Sequence, residues 1–133
     1  IKPNQHELSA LVGRELDTID EVVAAAREVI ASGVGTVVCS LGADGALYIT
    51  SDEAIHVEPA HPVHGVPVGA GDILLATFLA GGAGPDALAG AVAWSAASVK
   101  LPGTAIPTPE QAADIEVLVH TNLDAGRTLV EVS

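Results

Sequence analysis

The sequence predicts an α/β fold: a mixed, mostly parallel sheet with helices on both faces. Three observations point there. The chain of 133 residues is 49% hydrophobic but only 2% aromatic, so its core must be built from Val, Ile, Leu and Ala. That is the aliphatic composition of strands buried between helices. Short apolar runs alternate with Ala-rich amphipathic segments in the order β-α-α-β-β-β-α-α-α-β. The 14 Gly and 8 Pro are spread along the chain, which leaves no low-complexity tail. The length suits one domain.

Each element has a local cause. Ile1 and Lys2 end a strand, which Pro3 stops. Asn4 then caps a helix running to about Val12, with Glu7 at the capping-box spacing. Thr18 and Glu21 form a second capping-box pattern, opening a helix through Ile30 that ends before Gly33. Residues 36–41 (TVVCSL) read as a short buried strand, and Gly42-Ala43-Asp44-Gly45 as a tight turn. Strands follow over 46–50 and 54–58, then a connection rich in Pro and His over 59–67. Gly69-Ala70-Gly71-Asp72 turns into an apolar helix from Ile73 to about Ala80. The glycines of 81–85 break it, and Asp86 begins a second helix ending near Lys100. After a loop at Leu101-Pro102-Gly103-Thr104, Pro109 starts a short helix. The tail from Ile115 alternates as two short strands joined near Asp124-Ala125-Gly126.

Charge narrows the function. Seventeen acids against 5 bases give a net charge of −12. Nucleic acid and anionic membrane surfaces need Lys and Arg patches, so neither is an expected partner. ATP is still compatible, because backbone N–H groups and Mg²⁺ can hold its phosphates. Cys39 stands alone in an apolar run and reads as a core thiol in a reducing cytoplasm. No run of membrane-spanning length is visible. The chain starts at Ile1 and contains no Met, so it reads as part of a longer protein.

Three motifs carry chemistry. In Gly69-Ala70-Gly71-Asp72, two glycines around a small residue at a helix entrance let successive N–H groups point at one place, an anion cradle. A carboxylate there repels a simple phosphate ligand. Asp72 therefore reads either as a helix cap or as a base taking the proton of a hydroxyl that attacks the phosphate. Asn4 and Glu7 lie on one side of a first helical turn, where they form a plain capping box or orient water around Mg²⁺. Residues 40–45 (SLGADG) are a strand end and Gly-rich turn, which is either an ordinary hairpin or a nucleotide contact. Of the five His, His61 and His64 sit three apart, but nothing completes a zinc site. The histidines read as surface polar residues. Trp94 reads as a helix-packing residue, and Lys100 as a helix C-terminal charge.

The chain resembles the C-terminal half of the ribokinase-like, or PfkB, carbohydrate kinases. Residues 4–7 match the family's Asn-x-x-Glu motif, residues 40–45 its nucleotide turn and residues 69–72 its GAGD signature. Lys2-Pro3-Asn4 with Glu7-Leu8 is most similar to the 1-phosphofructokinase and tagatose-6-phosphate kinase branch. The resemblance spans about residues 1–118 and implies part of a three-layer sandwich. It implies ATP-dependent phosphoryl transfer to a sugar or sugar-phosphate hydroxyl, and a homodimer is compatible with the full-length protein. Asp72 is then the catalytic base, and Gly69, Ala70 and Gly71 form the anion hole. Asn4 and Glu7 position Mg²⁺. Ser40, Leu41, Gly42, Ala43, Asp44 and Gly45 contact the nucleotide together with Gly71, and Leu101 and Gly103 flank the adenine. Pro67 replaces the family's usual Thr or Ser, and Ile73 replaces a Ser frequent in this branch. The family's sugar-binding residues and lid lie mostly in its other half, so this chain by itself is expected to lack turnover. The alternatives are a nucleoside or other small-alcohol kinase on the same fold, and a non-catalytic nucleotide-binding module.

Overall fold

A computed structural model describes residues 1–41, 44–60, 70–82, 84–99, 107–121 and 123; for residues 70–72 and 85 it describes the backbone. The elements are α1 (Gln5–Val12), α2 (Ile19–Ala31), β1 (Val37–Ser40), β2 (Ala46–Ile49), β3 (Ala54–Pro59), α3 (Ala70–Ala80), α4 (Pro85–Val99), α5 (Pro109–Ala113) and β4 (Val117–His120). The sheet order is β1-β2-β3-β4. The chain divides into two compact units, Ile1–His56 with His120–Ser133, and Val57–Val119.

In the first unit, α1 begins as its sequence requires. The Asn4 side chain accepts from the Glu7 N–H at 2.7 Å, and Glu7 Oε1 accepts from the Asn4 N–H at 2.9 Å. Gly13 ends the helix in the left-handed conformation at φ 72°, and its N–H donates to Ser9 O. The second expected capping box does not form. The Thr18 hydroxyl donates to the Asp20 carboxylate and, at 3.0 Å, to Glu21 Oε1, and it caps no backbone N–H. Its one O–H is shared between the two acids, and although the oxygen can still accept, no backbone N–H donates to it. Spacing at i, i+3, i+4 and i+7 puts Ile19, Val22, Val23 and Ala26 on one buried face of α2. They join Leu8, Leu16, Val37, Cys39, Leu41, Leu47 and Ile49 in one apolar cluster. Burial pushes the Cys39 thiol up to about 12, so it is a neutral core group, as expected.

The direction of the sheet corrects the expectation. β1 and β2 pair antiparallel, Val37 opposite Ile49 and Ser40 opposite Ala46, so the sheet is not mostly parallel. The connection between them is too short for a parallel crossover, which needs a dozen or more residues. The parallel neighbour lies on the other side of β1. Val38 N–H donates to Ile1 O at 2.9 Å, Ser40 N–H to Pro3 O at 3.1 Å, and Asn4 forms a parallel bridge with Ser40. Here α1 and α2 supply the crossover.

In the second unit, α3 and α4 pack on each other, burying Leu74 and Phe78 from one and Leu88, Ala91 and Val92 from the other. A Cβ on Gly81 would meet Ala87 Cβ at 2.9 Å, and Gly82 takes φ 101°, so the break between the helices needs both glycines. The second helix starts at Pro85, one residue before the expected Asp86. Thr108 and Gln111 form a reciprocal capping box on α5. Trp94 is half-buried on α4. One strand of the expected tail pair is present as β4, and the second falls outside the described residues. Among the described residues no helix is long and apolar enough to cross a membrane.

Candidate active site

Two of the three motifs meet in the first unit. Pro3 fixes the chain where it leaves β1's parallel neighbour, and the bridge sets Asn4 beside Ser40, the last residue of β1. Residues 36 apart in sequence thus share the same end of the strand layer. Asn4 and Glu7 form the plain capping box that was one of the two readings. The box uses Asn4 Oδ1 and one carboxylate oxygen of Glu7, whose side chain is exposed to solvent. The second oxygen of Glu7 can face water, so the box and a role toward hydrated Mg²⁺ are compatible.

The turn after β1 is held at both ends. Leu41 N–H donates to Gly45 O at 2.8 Å, and Asp44 N–H donates to Leu41 O at 3.2 Å. Gly45 leaves the turn at φ 88°, a conformation that costs a side-chain-bearing residue about 1–2 kcal/mol. Asp44 is buried, and its carbonyl accepts from His56 Nε2 at 2.6 Å. His56 lies on β3, is 2% exposed and stacks at a tilt on His120, ring centroids 5.4 Å apart. It is therefore a buried ring in contact with the turn and not a surface polar residue. Its place in a strand between Ile55 and Val57 allows burial but does not require it, because strand neighbours face opposite sides.

The third motif heads α3 in the second unit. The helix begins at Ala70, three residues before the expected Ile73. Ala70, Gly71 and Asp72 are thus first-turn residues, whose backbone N–H groups have no partner within the helix. Asp72 is the third helical residue, not the residue preceding the helix that caps it. A carboxylate there complements the helix dipole. Gly42, Ala43, His61, His64, Pro67, Gly69, Lys100, Leu101 and Gly103 lie outside the described residues.

The profile of the pfkB family carbohydrate kinases matches residues 1–111. The chain belongs to that family. It is 40% identical over 132 residues to the 1-phosphofructokinase of Haloferax volcanii, covering 96% of this chain and 42% of that relative. The ATP-dependent 6-phosphofructokinase isozyme 2 of Escherichia coli is 49% identical over 76 residues, covering 56% of this chain and 25% of the relative. Among solved structures, the phosphofructokinase-2 of Escherichia coli in complex with substrates and products superposes with a TM-score of 0.75 at 39% identity, over 86% of this chain and 38% of that one. The ribokinase of Thermotoga maritima gives a TM-score of 0.72 at 29% identity, over 84% and 40%. This pfkB chain therefore spans less than half the length of these relatives.

Proposed function

We propose that the chain is the ATP-binding, catalytic portion of a larger carbohydrate kinase domain, and that the full-length protein transfers the γ-phosphoryl group of ATP to a hydroxyl of a sugar or sugar phosphate. The observation that carries this reading is the head of α3: Ala70, Gly71 and Asp72 in the first turn of a helix, at the GAGD signature of a family member. The N–H groups of Gly69, Ala70 and Gly71 form a cradle for the transferring group. The acceptor oxygen bonds to the γ-phosphorus, the bond to the bridging oxygen breaks and ADP leaves. Asp72 takes the hydroxyl proton. Most of the rate enhancement comes from positioning and charge stabilisation. Ser40, Leu41, Gly42, Ala43, Asp44 and Gly45 contact the nucleotide, with Leu101 and Gly103 beside the adenine.

Asn4 and Glu7 suit Mg²⁺ because one carboxylate and one amide beside open water match a cation that keeps most of its hydration shell. Mg²⁺ bound with ATP would neutralise phosphate charge. Glu7→Gln separates the two roles, since Gln also completes a capping box. Stability is expected to stay near wild type, while the Mg²⁺ concentration for half-maximal turnover rises about tenfold or more. An unchanged Mg²⁺ titration removes Glu7 from the metal's surroundings.

The acceptor we favour is that of a 1-phosphofructokinase, given the Haloferax volcanii relative. A different small acceptor is the second reading, favoured by the Salmonella typhi deoxyribokinase, 40% identical over 77 residues. We also propose that the full-length protein is cytoplasmic and can form a homodimer. Residues 1–133 purified alone are expected to release no ADP with any sugar acceptor, because acceptor site and water-excluding lid lie elsewhere in the family. Sugar phosphorylation by that fragment contradicts the division of labour.

A further inference from the structure

We infer that His56 is a positioning residue for the nucleotide turn, an inference that rests on assigning residues 40–45 to ATP. Among the described residues the turn has two internal backbone ties, Leu41 N–H to Gly45 O and Asp44 N–H to Leu41 O. A further tie comes from outside. Twelve residues further along the chain, His56 Nε2 sits 2.6 Å from Asp44 O. A carbonyl oxygen only accepts, so Nε2 carries the proton and the ring is the donor. The ring is 2% exposed and Asp44 4%, so no bulk water replaces this bond when the donor is removed. Its contact with His120, tilted by 32°, fixes the ring plane from the β4 side. β3 therefore sets where the turn stands relative to β1, where Ser40 meets Asn4. His56 touches neither nucleotide nor acceptor. It acts through the Asp44 carbonyl.

The test is steady-state kinetics of the full-length protein with Mg-ATP varied at saturating acceptor, and the reverse. His56→Leu fills the space without a donor. The expected result is a KM for ATP raised about 3- to 10-fold, the worth of one buried hydrogen bond, with kcat and the acceptor KM unchanged. His56→Gln carries an amide N–H at about the reach of Nε2 and is expected to restore most of the ATP KM. A purely structural role gives the opposite split: fewer folded molecules lower kcat and leave KM as it was, and that result overturns the inference. If His56→Leu does not fold, His56→Asn, whose amide is one methylene too short, takes its place with the same expected split. Wild-type ATP binding with an unaltered KM in these variants sinks the role of His56 alone. Failure of the wild-type protein to bind Mg-ATP sinks the nucleotide turn and His56 with it.

Discussion

Asp72→Asn in the full-length protein is expected to lower turnover about 100-fold or more, the lower range for removal of a general base. The substitution keeps shape and hydrogen-bonding reach and removes the proton acceptor. Its strength as a test comes from what the two readings of Asp72 predict. If the residue serves only the helix terminus, Asn loses the dipole contribution of about 0.3–1 kcal/mol in stability, and turnover stays near wild type. If it is the base, turnover collapses although the helix is intact. ATP affinity separates them further. Removing a negative charge beside the phosphate cradle should leave ATP binding unchanged or tighten it, so the loss appears in kcat and not in KM. Asp72 is the third residue of α3, within the helix and not ahead of it, so an N-cap role does not account for it. Near-wild-type turnover in Asp72→Asn contradicts the mechanism.

The second large effect concerns the platform under Asn4 and Glu7. Leu8 is fully buried on the inner face of α1, in the cluster with Ile19, Val22, Val37 and Cys39. Leu8→Ala removes three buried carbons and is expected to cost about 2–5 kcal/mol, depending on how far the cluster collapses into the space. Domains of this kind carry about 5–15 kcal/mol in total, so a large share of the stability is at stake. Chemical denaturation measures it directly. Cys39 supplies an internal reporter, because a thiol pushed up to about 12 by burial resists alkylation until its surroundings open. Earlier alkylation and a lower midpoint are the expected result together. A loss below about 1 kcal/mol contradicts docking of α1 on this core.

The elements legible in the sequence were those fixed by local chemistry. Asn4 with Glu7 announced α1, Gly33 marked the end of α2, and Gly81 and Gly82 broke α3 from α4, the first by its close approach to Ala87 and the second by its φ of 101°. β1, β2 and β3 were found within two residues of their bounds. What depended on partners was less legible. The runs VVCS and ALYI say that a strand is buried but not which way its neighbour runs, and the antiparallel β1–β2 pairing is decided by the length of the turn between them. Thr18 failed as a cap because Asp20 and Glu21 compete for its hydroxyl, a rivalry that the spacing rule does not weigh. In the candidate site, residue types indicated Asn4, Glu7 and Ser40, and the bridge between Asn4 and Ser40 added that two of the motifs adjoin. His56 went unread because its role is a hydrogen bond to a backbone carbonyl twelve residues away, which no side-chain motif encodes.

The proposed phosphoryl transfer from ATP to a sugar-phosphate hydroxyl is measured as acceptor-dependent ADP release from Mg-ATP in the full-length protein, across fructose 1-phosphate, other sugar phosphates, free sugars and nucleosides. Release that requires a phosphorylated sugar, highest with fructose 1-phosphate, is the result predicted here. Mg-ATP binding with no ADP release on any acceptor contradicts it and makes the protein a non-catalytic nucleotide-binding module.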